Sequence, residues 1–220
     1  MACNFGYLLA TVGKLVIIWD GRGGTIMNKT LEGLLQAFVG ESQARNRYTF
    51  YASTARKEGY EQIAEIFSLT AEQEREHASW FYKMIMEVKA ALKISDMEFS
   101  VQTGVPVIRA TTMENLQAAI TGETHEYTSM YPEIARQAKA DGFAAIGTRV
   151  ASIAIAEKHH AERYQKLYDI LDNKTIWEKE DAVFWVCRQC GYVHFGKKAP
   201  EACPSCGHTK SFYQLMCETY

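Results

Sequence analysis

Apolar residues recur at intervals of three and four from about residue 28 to residue 171, and that period predicts helices. The first spans about 30–58, carries Leu31, Leu34, Leu35, Phe38 and Ala44 on its apolar stripe, and stops at Gly59. The second spans about 60–93, with Ile63, Ile66, Phe67, Leu69 and Trp80 in the same role. Ser95-Asp96, Gly104 and Pro106 then mark a long loop. Thr111-Thr112-Met113-Glu114 reads as a capping box that opens a third helix, which ends at Asp141-Gly142. A fourth runs over about 143–171. Four helices of nearly thirty residues predict an all-α four-helix bundle, with the loop between the second and third as its one long crossover. Met84, Met86, Met97 and Met130 read as packing residues.

The pattern changes after Leu171. Residues 172–182 are mostly polar and read as a linker, and 183–220 show short strand signals, glycine turns and cysteines, a small β-rich domain. Before the bundle, residues 1–27 are an N-terminal extension of unclear role. Leu15–Trp19 ahead of Asp20-Gly21 reads as a strand and turn, and Met27 is an alternative natural start. No basic residue precedes the apolar stretch and Lys14 interrupts it, which disfavours a signal peptide.

Charge narrows the function classes. With 24 basic against 26 acidic residues the chain lacks the basic surface that nucleic-acid binding or a polybasic membrane anchor needs. No apolar run is long enough to predict a spanning helix. Four of the six cysteines form two C-x-x-C pairs, Cys187/Cys190 and Cys203/Cys206, with 12 residues between them. That spacing closes a tetrahedral thiolate site that accepts zinc or iron, and it predicts a reducing, cytoplasmic setting. Cys217 reads as a spare thiol.

The bundle carries a repeat of acidic and histidine residues. Glu41 precedes Glu74-x-x-His77 by 33 residues, and Glu123 precedes Glu157-x-x-His160 by 34. Residues three apart share a helical face, so each Glu-x-x-His can reach one ion. Antiparallel packing would bring Glu41 level with Glu74 and Glu123 level with Glu157, with Glu126 able to join as a fifth carboxylate. At 4 Å each like-charged pair costs about 4 kcal/mol at an effective dielectric of ~20, so such a group must bind protons or cations. Two carboxylate-bridged divalent metals, each with one imidazole, suit iron or manganese better than structural zinc. The plainer readings are a surface salt bridge for Glu41–Arg45 and a solvated face for Glu72–Glu76. His125 and His159 fall on other faces and read as surface or supporting residues.

These motifs resemble the rubrerythrins, ferritin-like diiron proteins with a rubredoxin-like tail. The resemblance rests on Gly40–Tyr48, Glu74-x-x-His77-Ala78, Gly122-Glu123-x-x-Glu126-Tyr127, Met130-Tyr131-Pro132, Glu157-x-x-His160 and the two C-x-x-C pairs, and it covers about 28–220. It implies that Glu74 and Glu157 bridge two non-haem irons, that Glu41, Glu123 and Glu126 are terminal ligands, and that His160 binds one iron and His77 the other. Cys-Gly-Tyr and Cys-Pro-x-Cys-Gly look like rubredoxin, and that resemblance implies one iron on Cys187, Cys190, Cys203 and Cys206. Tyr48 and Tyr131 match tyrosines beside the diiron site, and Glu126 is a candidate proton relay. The activity implied is reduction of hydrogen peroxide to water in oxidative-stress defence, fed by a reductase or rubredoxin, in a head-to-tail or domain-swapped homodimer. The alternative is a ferroxidase or iron-handling role.

Overall fold

The computed structural model describes residues 28–95 and 98–218, together with the backbone of 19–20 and 24–25. Most of the N-terminal extension and Met97 therefore lie outside the described residues. Trp19–Asp20 (β1) pairs antiparallel with Gly24–Thr25 (β2).

The helices are α1, Lys29–Lys57; α2, Glu61–Ala91; α3, Thr112–His125; α4, Tyr131–Ala140; and α5, Ala144–Asp172. A π-turn, Glu126–Met130, joins α3 to α4, so the third predicted helix is one stretch interrupted by a wider turn. Asn28 caps α1 by accepting from the Leu31 N–H at 3.0 Å. The capping box at α3 is present: the Glu114 N–H donates to Thr111 Oγ1 at 3.3 Å, and the Thr111 N–H donates to Glu114 Oε2 at 3.0 Å. Removing that hydroxyl in Thr111→Ala is expected to cost about 1 kcal/mol in denaturant unfolding, and an unchanged midpoint would contradict it.

The chain divides into two compact units that cut across the helices rather than between them. The first takes in α1 as far as Ala44, Gln73–Pro106 and Thr124–Lys158. Its core holds Leu31, Leu34, Phe81, Met84, Ile85, Val88, Tyr131, Ile134, Ile146 and Val150. Met86, expected to pack, is exposed, since Met84, Ile85 and Val88 already fill the buried face of α2. Met130 packs at the edge of the core as expected.

The second unit takes in Arg45–Glu72, Val107–Glu123 and the chain from His159 onward. Ile63, Phe67 and Ala71 form its buried stripe on α2. Leu69 stands about 200° from Phe67 around the helix and is exposed, contrary to expectation. Glu178–Cys187 (β3) begins inside the segment read as linker and lies between Val193–Lys198 (β4) and Tyr213–Leu215 (β5), both antiparallel to it. Trp185, Cys187, Ala199, Cys203 and Tyr213 make this sheet's core, with the Trp185 indole donating to the Gly196 carbonyl at 2.9 Å.

Candidate metal centres

The first unit gathers Glu41 from α1, Glu74 and His77 from α2 and Glu157 from α5, with donor atoms all within 4.8 Å of one another. The helical period explains the choice. Within the charged run of α2, Glu72 and Glu76 face solvent while Glu74 is buried, in step with Ala71 and Ala78. Glu41 is buried too, and Arg45 lies 3.8 Å from Glu72, so the expected Glu41–Arg45 surface pair is replaced by Arg45–Glu72. His77 Nδ1 stands 2.8 Å from Glu157, 3.0 Å from Glu74 and 3.8 Å from Glu41. The Tyr131 hydroxyl donates to Glu41.

The electrostatics follow from this crowding. Burial, then the neighbouring charges of Glu157, Glu74 and Glu126, raises Glu41 well above the ordinary carboxylate range. Burial pulls His77 down, but hydrogen bonds and attraction from Glu157 and Glu74 outweigh it and hold the imidazole at about 10. Burial and the charges of Glu41, Glu126 and Glu157 likewise raise Tyr131. In the metal-free chain both the Glu41 and His77 shifts mean that the folded state binds more protons than the unfolded one. Stability then falls as pH rises. For His77 the loss falls between its unfolded value of 6.5 and about 10. Melting followed by helical circular dichroism in chelator is expected to drop across that window, and a rise would contradict the assignment.

In the second unit, α3 and α5 bring Glu123 Oε2 to 3.6 Å from His160 Nδ1, both buried. The Tyr48 hydroxyl donates to Glu123, and its ring packs among Tyr51, Phe67 and Tyr164 at centroid distances of 5.5–6.0 Å. Glu126, in the first unit, is half-buried, and a Cβ on Gly40 would sit 4.0 Å from its Oε1. His125 and His159 are exposed, in keeping with a surface role.

The four cysteines form the remaining donor group, with Sγ atoms all within 4.8 Å. Cys187 and Cys206 are 3.8 Å apart, Cys190 and Cys203 3.6 Å. Two matching turns build it. Gly191 and Gly207, each at φ +76, donate N–H groups at 2.8 Å to the carbonyls of Cys187 and Cys203. A side chain would be strained at either position. Burial raises the Cys203 thiol, but the Tyr213 hydroxyl and the N–H groups of Cys206 and Ser205 outweigh it and bring it to about 6. One thiolate is thus favoured before any cation arrives.

The donor sets fit metal ions. Buried carboxylates at these separations do not persist as bare anions, and divalent cations supply the missing charge. Four convergent cysteine sulfurs with free thiols suit tetrahedral coordination.

The rubrerythrin family model matches residues 32–168, and the model described as rubrerythrin, rubredoxin-like domain matches residues 185–214. The chain belongs to the rubrerythrin family. It is 42% identical over 194 residues to rubrerythrin-1 of Clostridium acetobutylicum, a match covering 87% of this chain and 96% of that protein. It is 42% identical over 189 residues to rubrerythrin of Nitratidesulfovibrio vulgaris, covering 86% and 95%. Among solved structures it is similar to nigerythrin in its fully reduced, all-ferrous state, with a TM-score of 0.57 and 31% identity over 89% of this chain and 91% of that one.

The ferritin-like helical fold with a small cysteine-bearing antiparallel sheet is that of the family. Rubrerythrins are iron-dependent oxidoreductases, and the carboxylate–histidine diiron site and the four-cysteine iron site both have their donors here. No helix among the described residues is long and apolar enough to cross a membrane.

Sequence reasoning missed the π-turn. Eight residues of regular helix separate Glu123 from Tyr131, which would leave the tyrosine rotated by about 80° from the carboxylate face. The Tyr131 N–H bonds the Glu126 carbonyl, five residues back, and this one-residue insertion brings the offset to about 20°. Pro132 is the sequence signal. It has no N–H for the usual i−4 bond, and it sits inside what the periodicity reads as an unbroken helix.

Proposed function

We propose that this rubrerythrin-family protein reduces hydrogen peroxide to water, H2O2 + 2 H+ + 2 e− → 2 H2O. The observation that carries the reading is the pairing, in one chain, of a buried carboxylate–histidine cluster with a four-cysteine site. An iron-storage ferroxidase has no use for a reductive port, whereas a peroxidase must be re-reduced after every turnover.

In this reading Glu74 and Glu157 would be the ligands common to two metal ions. Glu41 and His77 would complete one set and Glu123 and His160 the other, with Glu126 as a further terminal ligand, as the family resemblance implies. Two irons held there would supply the two electrons of the reaction, and an iron on Cys187, Cys190, Cys203 and Cys206 would supply single-electron transfer. The chain's own work is positional and protonic. Tyr131 and Tyr48 hold Glu41 and Glu123 by their hydroxyl protons. When it is not a ligand, the Glu126 carboxylate, whose Oε1 lies 4.0 Å from where a Gly40 Cβ would sit, takes up and releases a proton. The bundle domain is 28–171 and the electron-carrying domain 183–220, whose first strand reaches back to Glu178 in the intervening segment 172–182. The physiological unit is a cytoplasmic homodimer, head-to-tail or domain-swapped, served by a reductase or rubredoxin, and its role is defence against oxidative stress.

Anaerobically reduced protein mixed with peroxide or with dioxygen separates this activity from a ferroxidase. Oxidation of the reduced protein is expected to be about tenfold or more faster with peroxide, a barrier difference of about 1.4 kcal/mol or more. A faster reaction with dioxygen would favour the iron-oxidising role.

A further inference from the structure

Within the second unit the first cysteine knuckle meets the corner between α1 and α2 of the same chain. Arg188, the residue after Cys187, extends one guanidinium nitrogen to Glu65 on the second turn of α2 and the other to Gln214 on β5. Its backbone N–H donates to the Phe212 carbonyl at 2.8 Å. The arginine side chain is only 16% exposed although Glu65 is 63% exposed. Three other contacts converge on the corner. Tyr60 stacks on Trp177 at 5.5 Å and 12°. Lys210 Nζ stands 5.5 Å from the Trp177 ring centre. A Cβ on Gly59, at φ +84, would lie 3.0 Å from Ser211 Oγ. Trp177 in turn accepts from the Ala199 N–H at 3.0 Å, so it moves with the small sheet.

An ion pair with one partner in water shifts an equilibrium by no more than about fivefold, so an ordinary surface pair would have little consequence. Arg188 differs from such a pair in two respects. Its planar fork holds two elements at once and is mostly buried, a geometry that a guanidinium satisfies and an ammonium does not. It also sits inside the metal-binding turn, so whatever it grips is one residue from a cysteine donor.

We propose that Arg188 is a positioning residue that latches the cysteine knuckle onto α2 through Glu65 and so fixes where the electron-carrying site stands relative to that helix. The consequence for catalysis rests on the reading of that site as the electron port. The latch itself does not.

The test uses the iron-loaded full-length chain and three variants: Glu65→Arg, Arg188→Glu and the double swap. Hydrogen exchange at residues 59–66 and 177 reads the docking, the visible spectrum of the four-cysteine iron reads its integrity, and stopped-flow with peroxide reads oxidation of that iron. Glu65→Arg lies far from the cysteines in sequence and keeps the test valid if Arg188→Glu fails to load iron. Expected is a severalfold rise in exchange and a slower oxidation in Glu65→Arg, with an unchanged spectrum and recovery of both readouts in the double swap. Unchanged exchange in Glu65→Arg, or no recovery in a double swap that loads iron, would overturn the latch. If the parent chain ignores peroxide, the peroxidase reading fails, and the exchange measurement still decides the latch.

Discussion

Glu157→Ala is expected to empty the bundle of iron while leaving the four-cysteine chromophore intact. The side chain is fully buried on α5, 2.8 Å from His77, and the proposed function makes it a ligand common to both irons. A ligand shared by two ions takes both with it when it is removed. Iron content should therefore fall from about three per chain to about one, the tetrathiolate ion alone. Glu157→Gln is expected to act in the opposite direction on the metal-free protein. Glu157 is the foremost of the charges that push Glu41 upward, so its removal relieves repulsion inside the first unit. Metal-free Glu157→Gln, which keeps the volume, should melt above the metal-free parent, while the metal-loaded parent melts above both. Unchanged bundle iron in Glu157→Ala would sink the site assignment.

Cys190→Ser is expected to abolish peroxide turnover supported by a reductase. It replaces an exposed thiol, 3.6 Å from Cys203, with a hydroxyl that is no thiolate donor at neutral pH. The knuckle then loses its tetrahedral set and, under the proposed function, the path by which single electrons enter. The carboxylate–histidine group draws no donor from the small sheet. A chemically pre-reduced variant should therefore still consume about one peroxide per chain, the two-electron demand of the reaction. Failure of that single turnover would mean that the cysteine domain does more than carry electrons.

Much of this was legible in the sequence because it depends on period. Helix limits of 30–58 and 60–93 against Lys29–Lys57 and Glu61–Ala91 follow from an apolar stripe repeated over eight turns. The capping box at Thr111 is a purely local motif. Glu74 and Glu157 were distinguishable from the many surface acids because each recurs with a histidine one turn later and a lone glutamate upstream. What escaped was set by single steric events or by packing between distant segments. Pro132 forces the π-turn that re-aims Tyr131, and a windowed pattern averages over it. Leu69 and Met86 are apolar but lie off the stripe, so composition counted them where geometry does not. The Arg45–Glu72 pair joins two helices and has no signature in local spacing. Glu178–Asp181 are polar yet stranded, because β3 pairs there with β4 through Glu178 and Lys198, whose side chains form an exposed ion pair.

Metal content and the visible spectrum of the purified chain, followed by addition of peroxide to the fully reduced form without dioxygen, separate a redox protein from a structural metal protein. Expected are about three irons per chain, a red tetrathiolate–iron chromophore, and prompt oxidation with two electrons withdrawn for each peroxide consumed. Zinc on the four cysteines, no visible absorption and indifference to peroxide would contradict the redox reading, and would leave a metal-binding bundle with a structural zinc knuckle.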